Sequence, residues 1–103
     1  MNNTFSLLSI CRRAGKLAMG MDSVKEACAD KTICCVLVSS DLSEKSLKEV
    51  RFICEKSNVK IFCLDEAMNE IWAALGKKSG ILGVCDKGFS KKLEAFLKPD
   101  DSR

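Results

Sequence analysis

Two short stretches hold the residue types able to do chemistry. The first is Arg12-Arg13-Ala14-Gly15-Lys16-Leu17-Ala18-Met19-Gly20-Met21-Asp22-Ser23, a basic turn feeding an extended segment that runs into a helix opening at Gly20. Such a helix end offers unpaired backbone N–H groups and the positive end of the dipole, and a glycine there has no side chain to hold a ligand backbone away. Phosphate suits it. The same pattern also fits an ordinary strand-to-helix turn in which Gly20 only relieves backbone strain, and the G-x-x-x-x-G-K-[ST] spacing of a P-loop is absent. The second stretch is Leu75-Gly76-Lys77-Lys78-Ser79-Gly80-Ile81. Its glycines supply backbone freedom, its lysines charge, and Ile81 an apolar side chain for an exposed base, the features suited to the bulged and unstacked bases through which folded RNA is read. Its alternative is a helix C-cap followed by a solvated turn.

Catalytic chemistry is poorly represented. Seven cysteines stand at positions 11, 28, 34, 35, 54, 63 and 85, with no C-x-x-C pair and no histidine in the chain. Cys34 and Cys35 are neighbours in an extended run, so their side chains point to opposite faces and cannot share an ion. The cysteines read as small buried hydrophobes of a reducing compartment, and neither a metal nor a cofactor is expected. Lack of histidine removes most hydrolytic triads, and no cysteine has a recognisable neighbouring base, so no catalytic residue is assigned.

Charge is distributed unevenly. Net charge is +3, yet residues 12–16 and 72–92 hold eight basic residues against the single acid Asp86, a local +7 that leaves −4 for the remainder. One basic region on a mildly acidic molecule is the expected footprint of a polyanion, although lysines that only solvate helix faces give the same composition.

The elements that must position these stretches follow from apolar spacing. Asn2–Ala14 reads as a helix with Leu7, Cys11 and Ala14 on one face, closed by Gly15; Lys16–Met19 is extended; and a second helix from Gly20 to about Asp30 carries Met21, Val24, Ala27 and Cys28. Ile33–Val38 is an unbroken apolar run, the mark of a strand covered on both faces. Ser43 caps a third helix that ends at Asn58 and turns Leu47, Val50 and Cys54 inward. Lys60–Leu64 is the next strand. Asp65 is expected to cap a fourth helix, with Met68, Ile71, Trp72 and Leu75 on its apolar side and Gly76 as its stop. Ile81–Cys85 is a strand, and a last helix carries Phe89, Leu93, Phe96 and Leu97 until Pro99 ends it. Trp72, the one tryptophan, can stack on a base, but its register with Met68 and Leu75 favours a core or partly buried role.

Alternation of helix and strand predicts a three-layer α/β/α sandwich on a four-stranded mixed sheet, with five helices. At 103 residues the chain makes one domain, residues 3–98, with 99–103 as a flexible tail. A basic pair that follows the first hydrophobic run is the wrong order for a signal peptide, and the longest apolar run is far too short to span a bilayer, so no membrane contact and a cytoplasmic location are expected.

Taken in order, R-A-G-K-L with a glycine three residues on, the apolar strand, A-L-G-K-K ahead of the last core strand, and D-K-G-F-x-K-K-L resemble one family over residues 3 to 97. It is the bacterial branch of the superfamily of archaeal and eukaryotic-type large-subunit ribosomal proteins that bind kink-turn RNA. The resemblance implies an RNA-binding protein, ribosome-associated or regulatory, whose partner is structured RNA rather than DNA. It implies contacts at the N-terminus of the second helix and in the loop before the last core strand. The RNA-binding set is then Lys16, Gly20, Met21, Asp22, Ser23 and Lys25 on one side and Gly76, Lys77, Lys78, Ser79, Gly80 and Ile81 on the other. Where the family's helix reads Gly-x-Asn-Glu-x-x-Lys, this chain keeps Gly20 and substitutes Asp22, Ser23 and Glu26. Those departures motivate the alternative of a protein-binding scaffold that has lost RNA.

Overall fold

The computed structural model describes residues 3–100. Along the chain it forms α1 (Asn3–Arg13), β1 (Leu17–Met19), α2 (Met21–Ala29), β2 (Cys35–Val38), α3 (Glu44–Ser57), β3 (Lys60–Cys63), α4 (Met68–Leu75), β4 (Ile81–Val84), α5 (Lys87–Glu94) and β5 (Lys98–Pro99). The caps anticipated for α3 hold: the Ser43 hydroxyl accepts from the Ser46 N–H at 3.3 Å, and Asn58 closes the helix in the left-handed region at φ 57°. Asp86 caps α5, its Oδ1 accepting from the Phe89 N–H at 3.0 Å.

The strands join in the order β1-β4-β2-β3-β5, with β2 and β3 parallel and every other pair antiparallel. All four β2 residues are buried because helices cover both faces of the sheet. Cys35 and Leu37 point into one cluster with Leu8 and Cys11 of α1, Ile71 and Leu75 of α4 and Leu93 of α5. Val36 and Val38 point the other way, onto Val24 and Cys28 of α2 and Val50 and Cys54 of α3. The three-layer α/β/α sandwich with a mixed sheet is therefore the observed architecture. No helix among the described residues is long and apolar enough to cross a membrane.

Several expectations are corrected. The sheet has five strands rather than four. Lys98 and Pro99, the latter expected in the tail, pair antiparallel with Cys63 and Phe62 at the outer edge, a place that tolerates a proline. The Asp100 N–H then donates to the Ile61 carbonyl at 2.8 Å, and its carboxylate accepts two bonds from the Arg51 guanidinium, at 2.8 and 3.1 Å. Ala67, not Asp65, precedes α4, and Asp41 caps that helix from a distant loop by accepting from the Met68 N–H at 3.0 Å. Trp72, expected to be core or partly buried, lies outside the core at 55% exposure, since Ile71 and Leu75 form the buried side of α4. Phe96 is 53% exposed because α5 stops at Glu94, before the turn that would carry it inward.

All seven cysteines are free thiols, four of them buried. Burial pushes the Cys11 and Cys35 thiols up to about 11 and the Cys54 thiol to about 12. No group of three or more metal-ligating side chains occurs among the described residues.

Candidate nucleic-acid interface

β1 delivers the chain to Gly20, whose φ of 99° and ψ of 162° lie in a region open essentially to glycine alone. That conformation turns the backbone sharply from strand into helix while the Gly20 N–H donates to the Ile81 carbonyl at 2.9 Å. No side chain caps α2. Its first turn therefore keeps backbone donors available, with Asp22 and Ser23 exposed beside them.

The facing wall starts where α4 closes. Gly76 takes the left-handed conformation at φ 80° and donates its N–H to the Trp72 carbonyl at 2.8 Å. Lys77 and Lys78 follow, both exposed. The rest of the loop is locked: the buried Ser79 hydroxyl donates to the Ile81 carbonyl at 2.9 Å, and the Gly80 carbonyl accepts from the Ser39 N–H at 2.9 Å. At Gly80 a Cβ would stand 2.9 Å from both Leu42 Cδ1 and Ser39 Oγ, so the backbone passes where only glycine fits without displacement.

The two predicted stretches come together. Met19, Gly20, Met21, Asp22 and Ser23 on one side and Lys77, Lys78 and Ser79 on the other line a groove of about 330 Å³. The ion pairs among the described residues are Lys25–Glu49 and Arg51–Asp100, so neither groove lysine is paired. Lys78 lies near enough to Asp41 to help hold its carboxyl below the usual range, although the Met68 N–H is the larger cause.

Not every predicted contact residue reaches this groove. Ile81 is 5% exposed and packs among the α2 and α3 side chains, so only its carbonyl serves the site and the loop has no apolar tip. Lys16 lies at the far end of β1, its carbonyl accepting from the Cys85 N–H at 2.8 Å. Four extended residues put it roughly 13 Å from Gly20. Lys25 is turned toward α3, where its ammonium meets Glu49 at 2.7 Å, a contact that raises its pKa. Sequence reasoning missed Arg12 as a neighbour of the loop. Its Nη1 stands 3.3 Å from where a Cβ of Gly76 would be. The signal available was its place in the last turn of α1, but only the packing of α1 on α4 brings it there.

Comparison with known proteins agrees with this architecture. The model of the ribosomal protein L7Ae/L30e/S12e/Gadd45 family matches residues 2–94. The chain is similar to the RNA-binding protein YlxQ of Enterococcus faecium, at 31% identity over 94 residues, covering 90% of this chain and 89% of that one. A solved structure from Bacillus halodurans, described as a protein with unknown function, superposes with a TM-score of 0.81 at 29% identity, covering 89% of this chain and 93% of its own.

Proposed function

The chain belongs to the ribosomal protein L7Ae/L30e/S12e/Gadd45 family, and from that premise we propose that it is an RNA-binding protein that recognises kink-turn or similarly bent RNA, on the ribosome or in a regulatory complex, by binding and not by catalysis. The observation that carries this reading is the groove, in which a helix N-terminus without a side-chain cap faces two lysines that have no ion pair among the described residues. A bend in RNA crowds phosphates of two backbone segments together. One segment suits the N–H donors from Gly20 onward, while Lys77 and Lys78 neutralise the other. Such contacts position the protein without reading sequence. Asp22 adds an acceptor for the amino edge of a guanine, and Ser23 a hydroxyl that donates or accepts. Glu26, exposed on the next turn of α2, repels phosphate and confines the RNA backbone to the helix tip.

The test is a gel-shift titration with a standard kink-turn duplex beside the same duplex lacking its bulge. Preference for the kinked form is expected, and equal affinity for both would remove the kink from the reading. A protein-binding scaffold is the second reading, favoured by the departures at Asp22, Ser23 and Glu26 and by the engagement of Lys25 with Glu49. Partners captured from lysate that survive nuclease treatment would support it.

A further inference from the structure

We propose that Trp72 is a stacking platform for an unpaired nucleotide leaving the groove past Gly76, with the Arg12 guanidinium taking the adjoining phosphate; this rests on the RNA reading of the groove. The indole is 55% exposed, and α4 does not need it for packing, because Ile71 and Leu75 already form the buried side of that helix. The Trp72 carbonyl accepts the Gly76 N–H at 2.8 Å, so Trp72 stands in the last turn of α4, immediately before the basic loop. Arg12 lies against Gly76 from α1, and Lys77, the next residue, lines the groove. Trp72, Arg12 and Lys77 are thus grouped around Gly76, beside the groove that Lys77 lines.

Surroundings argue for a nucleotide over an apolar partner. Positions one helical turn from Trp72 are Met68, Asn69, Leu75 and Gly76, none of them acidic. Glu70 is two residues away, roughly 200° around the helix, and its carboxylate accepts from the Ala67 N–H at 3.1 Å. Arg12 has no ion pair among the described residues. The other exposed aromatics stand elsewhere: Phe52 is on α3, on the opposite side of the sheet, and Phe96 borders a hollow that Asp65 and Glu66 also line. Ile10 of α1, 46% exposed, is the aliphatic side chain left in solvent on this side of the sheet, so Trp72 is an exposed ring apart from the other exposed aromatics and one helical turn from the Gly76 that Arg12 approaches. A base with its phosphate matches that combination.

Trp72 is the chain's one tryptophan, so its fluorescence reports the event directly. The probes are a kink-turn duplex carrying a short oligouridine overhang and the blunt duplex. We expect the overhang to quench emission and tighten binding, with Trp72→Ala losing roughly 5- to 100-fold for the overhang RNA alone and Trp72→Phe keeping most of the gain. Arg12→Ala should lower the salt slope by about 0.7 for that RNA, the share of one single-strand phosphate. An overhang that neither quenches nor tightens, while the blunt duplex still binds, would overturn this proposal and leave the groove intact. If neither RNA binds, both readings fall. Emission that changes with protein concentration alone would mean that a second copy covers the ring, which also overturns it.

Discussion

Replacing Lys77 and Lys78 by alanine tests the groove most directly, because the structure predicts a size and an asymmetry for the effect. Each lysine that neutralises a duplex phosphate releases counterion worth about 0.9 in the slope of log affinity against log salt. Both lysines are exposed and neither is in an ion pair among the described residues, so the double variant should have a slope shallower by about 1.8. Across a four-fold salt rise, from about 50 to 200 mM, that is roughly a twelve-fold smaller loss of affinity than the unaltered protein suffers. The two positions are not equivalent. Asp41 lies within electrostatic reach of Lys78, so part of that charge is already offset. Lys77→Ala should therefore flatten the slope by about 0.9 and Lys78→Ala by less. Lys25→Ala serves as control: its ammonium is held by Glu49 at 2.7 Å, outside the groove, and its slope should match the unaltered protein. The assay is fluorescence anisotropy with the kink-turn duplex at several salt concentrations. Parallel lines for the double variant and the unaltered protein, or a larger effect from Lys78 than from Lys77, would refute the reasoning.

Two further predictions concern stability. Gly20→Ala places a Cβ in open space, with nothing within 4 Å, so its cost is backbone strain alone at φ 99°, about 1–3 kcal/mol by urea unfolding; a variant as stable as the parent would show that the turn does not hold that conformation. In alkali the buried thiols decide the outcome. The folded state keeps the protons of Cys11, Cys35 and Cys54 up to about 11, 11 and 12, whereas the unfolded chain releases them near 9.0. Stability on this account is fully present below pH 9 and falls as pH climbs toward 11–12, by about 1.4 kcal/mol per pH unit for each thiol. Urea midpoints measured from pH 7 to 11 check this, and midpoints that stay level above pH 9 would contradict it.

Elements whose signals are local were legible in the sequence. Ser43 and Asn58 bracket α3 because a hydroxyl cap and a left-handed asparagine act within one turn, and β2 announced itself by an apolar run covered on both faces. The meeting of Gly20–Ser23 with Lys77–Ser79 followed from the fold that the resemblance implied. What was not legible depended on partners distant in sequence. A two-residue strand such as Lys98–Pro99 has no period of its own and exists only because β3 offers an edge. Asp41 lies 27 positions from the N–H that it caps. Ile81 was expected both to open the last core strand and to offer an apolar side chain to a base, and the two are incompatible, since pairing with Val38 commits that side chain to the core. Trp72 shows the limit of apolar periodicity, since Ile71 and Leu75 form the buried side of the helix while the indole stays more than half exposed.

The anchoring of Ser79, Gly80 and Ile81 into the sheet has an evolutionary corollary. Of the segment joining α4 to β4, the two lysines alone are at liberty to change, because the downstream positions are committed to hydrogen bonds and close contacts that the core requires. A lineage of such proteins can retune ligand preference by swapping two side chains on a fixed frame, without loop lengthening or repacking. Divergence of recognition among relatives should then concentrate at those two positions and along the first turn of α2.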